Sequence, residues 1–241
     1  MFQYSAGTQL ALANGCQCKL DISGFNNYGL HNGYELELFN IKTEIATMQD
    51  VSALAGPSSR LARLLRKTIG VGKKTYYLEK NFAFDNSFFA MKFPAYIDGY
   101  WQSYKYFEPI ADQIRRELTF SKPLEGRNDE LAQLIAQVNA VSIHIRRGDY
   151  VAIKAVNAVH GFVGIAYYKA AMQRILNEVY TPHFFVFSDD MEWARAKLGL
   201  LDNVTFVEHN TGSFSYEDMR LMSLCRHHII ANSFLVGEEH G

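Results

Sequence analysis

Between Val141 and Ala231 the chain alternates short apolar runs with longer stretches of helical periodicity, and no other feature restricts its fold as much. The apolar runs predict strands over 141–145, 183–187, 204–207 and 228–231, and the stretches between them predict helices over 167–179, 191–198 and 216–225. Strands that are apolar on both faces and separated by helices belong in a parallel sheet covered on both sides, wound right-handedly. The fold class is therefore α/β, with a doubly wound sheet in this half. In such sheets ligands sit beyond the carboxyl ends of the strands. The residues that follow the strands here are polar.

The first half is less regular. A helix is predicted over 1–14 with Gly15 as its stop, a strand over 16–22, a loop over 23–33 and a strand over 34–41. One or two helices within 46–72 carry Arg60, Arg63, Arg66 and Lys67 at helical spacing, which reads as a solvated face or, alternatively, as a contact with acidic lipid. Tyr96, Tyr100, Trp101, Tyr104 and Tyr106 crowd one interval; such rings serve core packing, and in sugar sites they also form flat platforms. Phe107, Ile110, Ala111, Ile114 and Leu118 share one stripe of a helix over 105–118, and a further helix is predicted over 129–139. The change of pattern near Asn139 divides the chain into domains 1–139 and 140–241.

The chain has 241 residues and a net charge of -1, so it lacks the cationic surplus of a non-specific nucleic-acid binder. Cys16, Cys18 and Cys225 are an odd set, and the first two lie too close for an easy bridge, which points to thiols in a reducing compartment. No run of 18 apolar residues and no basic region followed by an apolar core is present, so the expected location is cytoplasmic.

Candidate chemistry lies at the strand ends. His144 and Arg146 share a strand face, and Arg147, Gly148 and Asp149 follow. Arginine grips phosphate oxygens through two parallel hydrogen bonds and stays charged at cellular pH, which suits a diphosphate. The alternative is that Arg146 or Arg147 pairs with Asp149 or another acid at the sheet edge. The second strand ends in Ser188, Asp189 and Asp190. A carboxylate there can receive the N–H groups of guanine or the hydroxyls of ribose, or it can cap the next helix. Asn232 and Ser233 occupy the corresponding place after the last strand, where they serve a ligand or a turn. Asp218, with Glu217, complements a helix dipole.

The run His144-Ile145-Arg146-Arg147-Gly148-Asp149-Tyr150 resembles the first signature of the alpha-1,2-fucosyltransferases. Other segments agree in family order: Met1-Phe2-Gln3-Tyr4, Gly99 to Phe107, Tyr167-Tyr168, Ser188-Asp189-Asp190 and His227 to Ser233. The resemblance implies two Rossmann-like domains facing each other, of GT-B type, with 1–139 on the acceptor side and 140–241 binding GDP-fucose. It implies Arg146 and Arg147 as catalytic residues on the diphosphate, and His144 with one of Asp189 or Asp190 at the guanine. No metal or other cofactor is implied. The partners would be GDP-L-fucose and a galactose-terminated glycan, with no nucleic acid and with peripheral contact at the inner face of a membrane. The implied reaction moves fucose to the 2-hydroxyl of galactose with inversion.

The chain departs from the family pattern at both ends. The glycine-rich loop that the family carries before Met1-Phe2-Gln3-Tyr4 is absent, and Phe234 to Gly241 replace the Trp-rich close of the family's last motif. A one-nucleotide deletion in a coding sequence for that motif reproduces this tail except for Glu238, so the expectation is a frameshifted or truncated reading. An inactive fragment with residual GDP binding is then the alternative function, followed by a galactoside-binding module.

Overall fold

The computed structural model describes residues 1–27, 33–56, 74–147, 164–198 and 203–231. Arg60, Arg63, Arg66, Lys67, Asp149, Asn232, Ser233 and the tail from Phe234 lie outside the described residues. By compactness the chain divides into Met1–Lys122 and Pro123–Gly241.

The first unit opens with α1 (Phe2–Ala13), which ends where the glycine stop predicts. The Asn14 side chain donates to the Leu10 carbonyl at 2.8 Å, and Gly15 takes a φ of 62°, a left-handed conformation that suits glycine after a helix. Two short parallel pairs follow, β1 (Lys19–Leu20) with β2 (Glu44–Ile45) and β3 (Tyr76–Leu78) with β4 (Tyr96–Asp98). Helix α2 (Met48–Ala55) starts in a capping box, the Thr47 hydroxyl accepting from Asp50 N and the Asp50 carboxylate accepting from Thr47 N. Ala6 and Leu10 of α1 pack on Phe88, Trp101 and Tyr106, so two rings of the aromatic interval are core while Tyr104 is exposed.

Three predictions for this unit are corrected. The strand over 16–22 shortens to Lys19–Leu20. The strand over 34–41 is instead a 3-10 turn at Leu36–Leu38 followed by a lone bridge from Phe39 to Phe120, because alternation forms a strand only where a neighbour completes the ladder. The helix over 105–118 breaks into 3-10 turns at Tyr104–Tyr106 and Glu108–Ile110 before α3 (Ala111–Glu117). Pro109 lacks an N–H and disfavours the helical region for the residue before it, so a continuous helix cannot cross it.

The second unit contains α4 (Gly126–Gln137), β5 (Asn139–Ile145), α5 (Ile165–Glu178) and β6 (Pro182–Ser188). It continues with α6 (Met191–Leu198), β7 (Val204–Val207), α7 (Tyr216–Leu224) and β8 (His227–Ile229). The strands form a parallel sheet in the order β7-β6-β5-β8. Val141, Ile143, Ile145, Phe184 and Val186 pack beneath Tyr168 and Met172 of α5 and Ala194 and Leu198 of α6. Ala140, Phe185, Phe187 and Val207 face the other way, against Leu131 and Ile135 of α4 and Leu221 of α7. Helices thus cover both faces, and α4 packs with this unit. Each buried phenylalanine contributes about 1.5–3 kcal/mol of apolar burial. Ser142 is buried in the sheet, and its hydroxyl meets Nδ1 of His228 at 2.8 Å, so its polar group is satisfied.

The chain runs from β5 to β6 to β7 in one direction and then returns to the far side of β5 as β8. The strand order therefore reverses between β5 and β8, and the carboxyl ends of these strands flank the crevice where open α/β sheets take ligands.

Candidate functional site

The parallel register fixes what meets at that edge. Ile145 of β5 lies opposite Ser188 of β6, the last pair of the ladder. Continuing the same offset brings Arg146 beside Asp189 and Arg147 beside Asp190. Arg146 Nε lies 3.4 Å from Asp189 Oδ2, and Arg147 Nε donates to Asp190 Oδ2 at 3.1 Å. The two acids also hold backbone. Asp189 Oδ1 accepts from Arg147 N at 2.7 Å, and Asp190 Oδ1 accepts from Trp193 N at 3.1 Å, capping α6. Ser188 Oγ accepts from Asp190 N at 3.0 Å and tightens the turn.

Of the alternatives open for the arginines, pairing with acids at the strand end is observed, with Asp189 and Asp190 as partners among the described residues. Helix capping by Asp190 is observed as well. These contacts do not exclude a ligand, because the pairs differ in kind. The Arg146 and Asp189 side chains are 34% and 28% exposed, and an ion pair at 3.4 Å that water can reach is worth only about 0–1 kcal/mol, so an anion can compete for it. The Arg147 side chain is 16% exposed and its guanidinium lies 4.1 Å over the centroid of the Trp193 ring.

His144 is half-buried on the strand face it shares with Ser142. Burial lowers the pKa of its imidazole, the Arg146 charge lowers it further and Asp189 opposes the change, so the ring is neutral at neutral pH. A neutral imidazole offers one donor and one acceptor nitrogen beside the arginines. In the first turn of α5, Tyr168 donates through its hydroxyl to the His144 carbonyl at 3.4 Å and Tyr167 to the Ile230 carbonyl at 3.0 Å. The helix start thereby ties down the carboxyl ends of both strands at the reversal point. The Tyr168 phenol is pushed up to about 12, chiefly by burial, so it stays a donor.

The structure thus brings together His144, Arg146, Arg147, Ser188, Asp189 and Asp190 from the sequence-predicted set. Trp193 was not predicted. The signal for it is its position three residues after Asp190, in the turn that the acid caps.

Residues 70–235, more than half of the chain, match Glycosyl transferase family 11. The chain belongs to this family. It is 32% identical over 240 residues to the alpha-1,2-colitosyltransferase of Escherichia coli, a match covering 97% of this chain and 80% of that one. It is 38% identical over 95 residues to the O-antigen biosynthesis glycosyltransferase WbnK of Escherichia coli, covering 39% of this chain and 32% of that protein. To galactoside alpha-(1,2)-fucosyltransferase 1 of Homo sapiens it is 28% identical over 146 residues, 56% of this chain and 39% of that protein. No solved structure matches the chain.

As a member of family 11 the chain is a glycosyltransferase, with fucosyl- and colitosyltransferases among its relatives. The family match includes every strand of the four-stranded sheet and both arginine–aspartate pairs of this glycosyltransferase. No helix of its described residues is long and apolar enough to cross a membrane.

Proposed function

We propose that the chain transfers L-fucose from GDP-fucose to the 2-hydroxyl of a terminal galactoside, with inversion at the anomeric carbon. The observation that carries this reading is the placement of Arg146 and Arg147 at the reversal point of a parallel sheet in a family 11 chain. As the bond from fucose to GDP breaks, negative charge builds on the diphosphate. A guanidinium held there beforehand stabilises the transition state more than the ground state. In this reading Arg146 exchanges its exposed pairing with Asp189 for phosphate oxygens, Arg147 supplies a second charge, and neutral His144 faces the guanine with Asp189. The unit Pro123–Gly241 is then the donor half and Met1–Lys122 the acceptor half of a GT-B pair of Rossmann-like domains. Free thiols at Cys16, Cys18 and Cys225 fit a cytoplasmic location, with peripheral contact at the inner face of the membrane.

A second reading differs only in the sugar. The match that covers 97% of the chain is to a colitosyltransferase, and colitose lacks the 3-hydroxyl that fucose carries. Calorimetry with GDP, followed by transfer to lactose from GDP-fucose and from GDP-colitose, tests both. Fucose transfer supports the first reading and exclusive colitose transfer the second. GDP binding without either transfer leaves a degenerate homologue, and absence of GDP binding refutes the donor site.

A further inference from the structure

We infer that Trp193 is a positioning residue for the donor diphosphate: with Asp190 it fixes the plane of the Arg147 guanidinium. This rests on the reading above, in which Arg147 acts on the diphosphate. Arginine is long and rotamer-rich, and a site that uses both of its Nη groups needs the fork held in one plane before the ligand arrives. Among the described residues three contacts contribute to this. The Arg147 backbone N–H is pinned to Asp189 Oδ1 at 2.7 Å. Its Nε is committed to Asp190 Oδ2 at 3.1 Å. The guanidinium carbon lies over the Trp193 ring, 4.1 Å from its centroid, where the cation is attracted to the ring.

The geometry is self-supporting. Asp190 divides its oxygens between Arg147 and the Trp193 backbone N–H, so the acid that orients the cation also fixes the helix turn that carries the ring. Trp193 is partly buried against the core cluster of this sheet face, which anchors the side chain that carries the ring. With Nε bonded to Asp190 and the guanidinium carbon held over the ring, the fork that carries the two Nη groups is oriented before any ligand binds. Asp190 is then an orienting group for Arg147 and not a direct contact to the base.

The test compares Trp193→Leu, Trp193→Phe and Asp190→Asn in the full chain. GDP affinity is measured by calorimetry, transfer kinetics with GDP-fucose and lactose, and folding by thermal melts. Trp193→Leu removes the ring face and is expected to weaken GDP binding about 10-fold and to lower kcat/KM for the donor at least as much. Trp193→Phe keeps a ring and is expected to stay within about threefold of the wild type. Asp190→Asn keeps the helix cap but turns an amide toward Arg147 Nε, and is expected to weaken GDP binding several-fold even if Trp193→Leu fails to fold. A purely structural Trp193 would lower the melting temperature and leave the GDP affinity of the folded protein unchanged, which overturns the inference. So does a Trp193→Phe variant as weak as Trp193→Leu. Wild-type protein that fails to bind GDP overturns the donor reading and this inference together, whereas tight binding by wild type and Trp193→Leu alike overturns the inference alone.

Discussion

Replacing Asp189 separates two of the bonds that its carboxylate makes at the sheet edge. Its Oδ1 accepts from the Arg147 backbone N–H at 2.7 Å and its Oδ2 lies 3.4 Å from Arg146 Nε. A hydrogen bond to a charged acceptor contributes about 1.5–3 kcal/mol, and an ion pair as exposed as this one about 0–1 kcal/mol. Asp189→Ala loses both and is expected to destabilise the protein by about 2–3 kcal/mol. Asp189→Asn keeps a neutral acceptor for Arg147 N, worth about 0.5–1.5 kcal/mol, so its cost is expected to be about 1 kcal/mol. Urea unfolding of both variants beside the wild type gives the comparison, with unchanged slopes required before the midpoints are converted to energies. GDP affinity should fall further in Asp189→Ala than in Asp189→Asn, because only the alanine variant releases the Arg147 backbone. An Asp189→Ala variant within about 0.5 kcal/mol of wild type, or equal losses of stability in the two variants, would refute these roles for the carboxylate.

Other perturbations probe separate parts of the molecule. Arg146→Ala is expected to slow transfer on the order of 100-fold to 1000-fold while melting like the wild type; near-normal turnover with GDP-fucose would falsify its role on the diphosphate. Burial raises the Asp218 carboxyl to about 6, although its bond from Asn210 Nδ2 at 2.8 Å opposes the shift. The folded state therefore binds this proton more tightly than the unfolded chain. The resulting stabilisation is complete below about pH 4 and is lost as the pH rises through about 6. Asp218→Asn should raise stability at pH 7.5 by roughly 1 kcal/mol and flatten that dependence in urea titrations from pH 4 to 8; an unchanged profile would count against it. Gly99→Ala would place a Cβ 2.3 Å from Glu79 Cβ, in a turn where Glu79 accepts from Tyr100 N at 2.7 Å and Trp101 N at 3.1 Å. A loss of about 1–3 kcal/mol in thermal or urea unfolding is expected, and a neutral substitution would mean that the turn gives way freely.

Legibility differed between the halves for reasons that trace to particular residues. The apolar runs of β5 and β6 are buried on both faces, so composition alone marks them, and the helices between the strands have room for a full stripe. In the first unit the strands are two or three residues long and half-exposed, too short to carry a period. Tyr34 to Ile41 alternates convincingly yet forms a 3-10 turn, because a strand depends on a neighbour that local sequence does not specify. Pro109 was visible, but a stripe of apolar residues across it masked the break.

What the sequence by itself determined is the parallel α/β character of the second half and the polar residues that close its strands, since burial and turn chemistry are written locally in residue type. Which cation meets which acid belongs to the tertiary structure. Arg146 and Asp189, and Arg147 and Asp190, stand at the same separation, and the offset is set by the register of β5 on β6. Packing fixes that register: a slip of one residue would turn Val141, Ile143 and Ile145 away from the core beneath α5 and α6. The same packing seats α6, and with it places Trp193 beneath Arg147, a contact between residues far apart in sequence that only the folded sheet brings together.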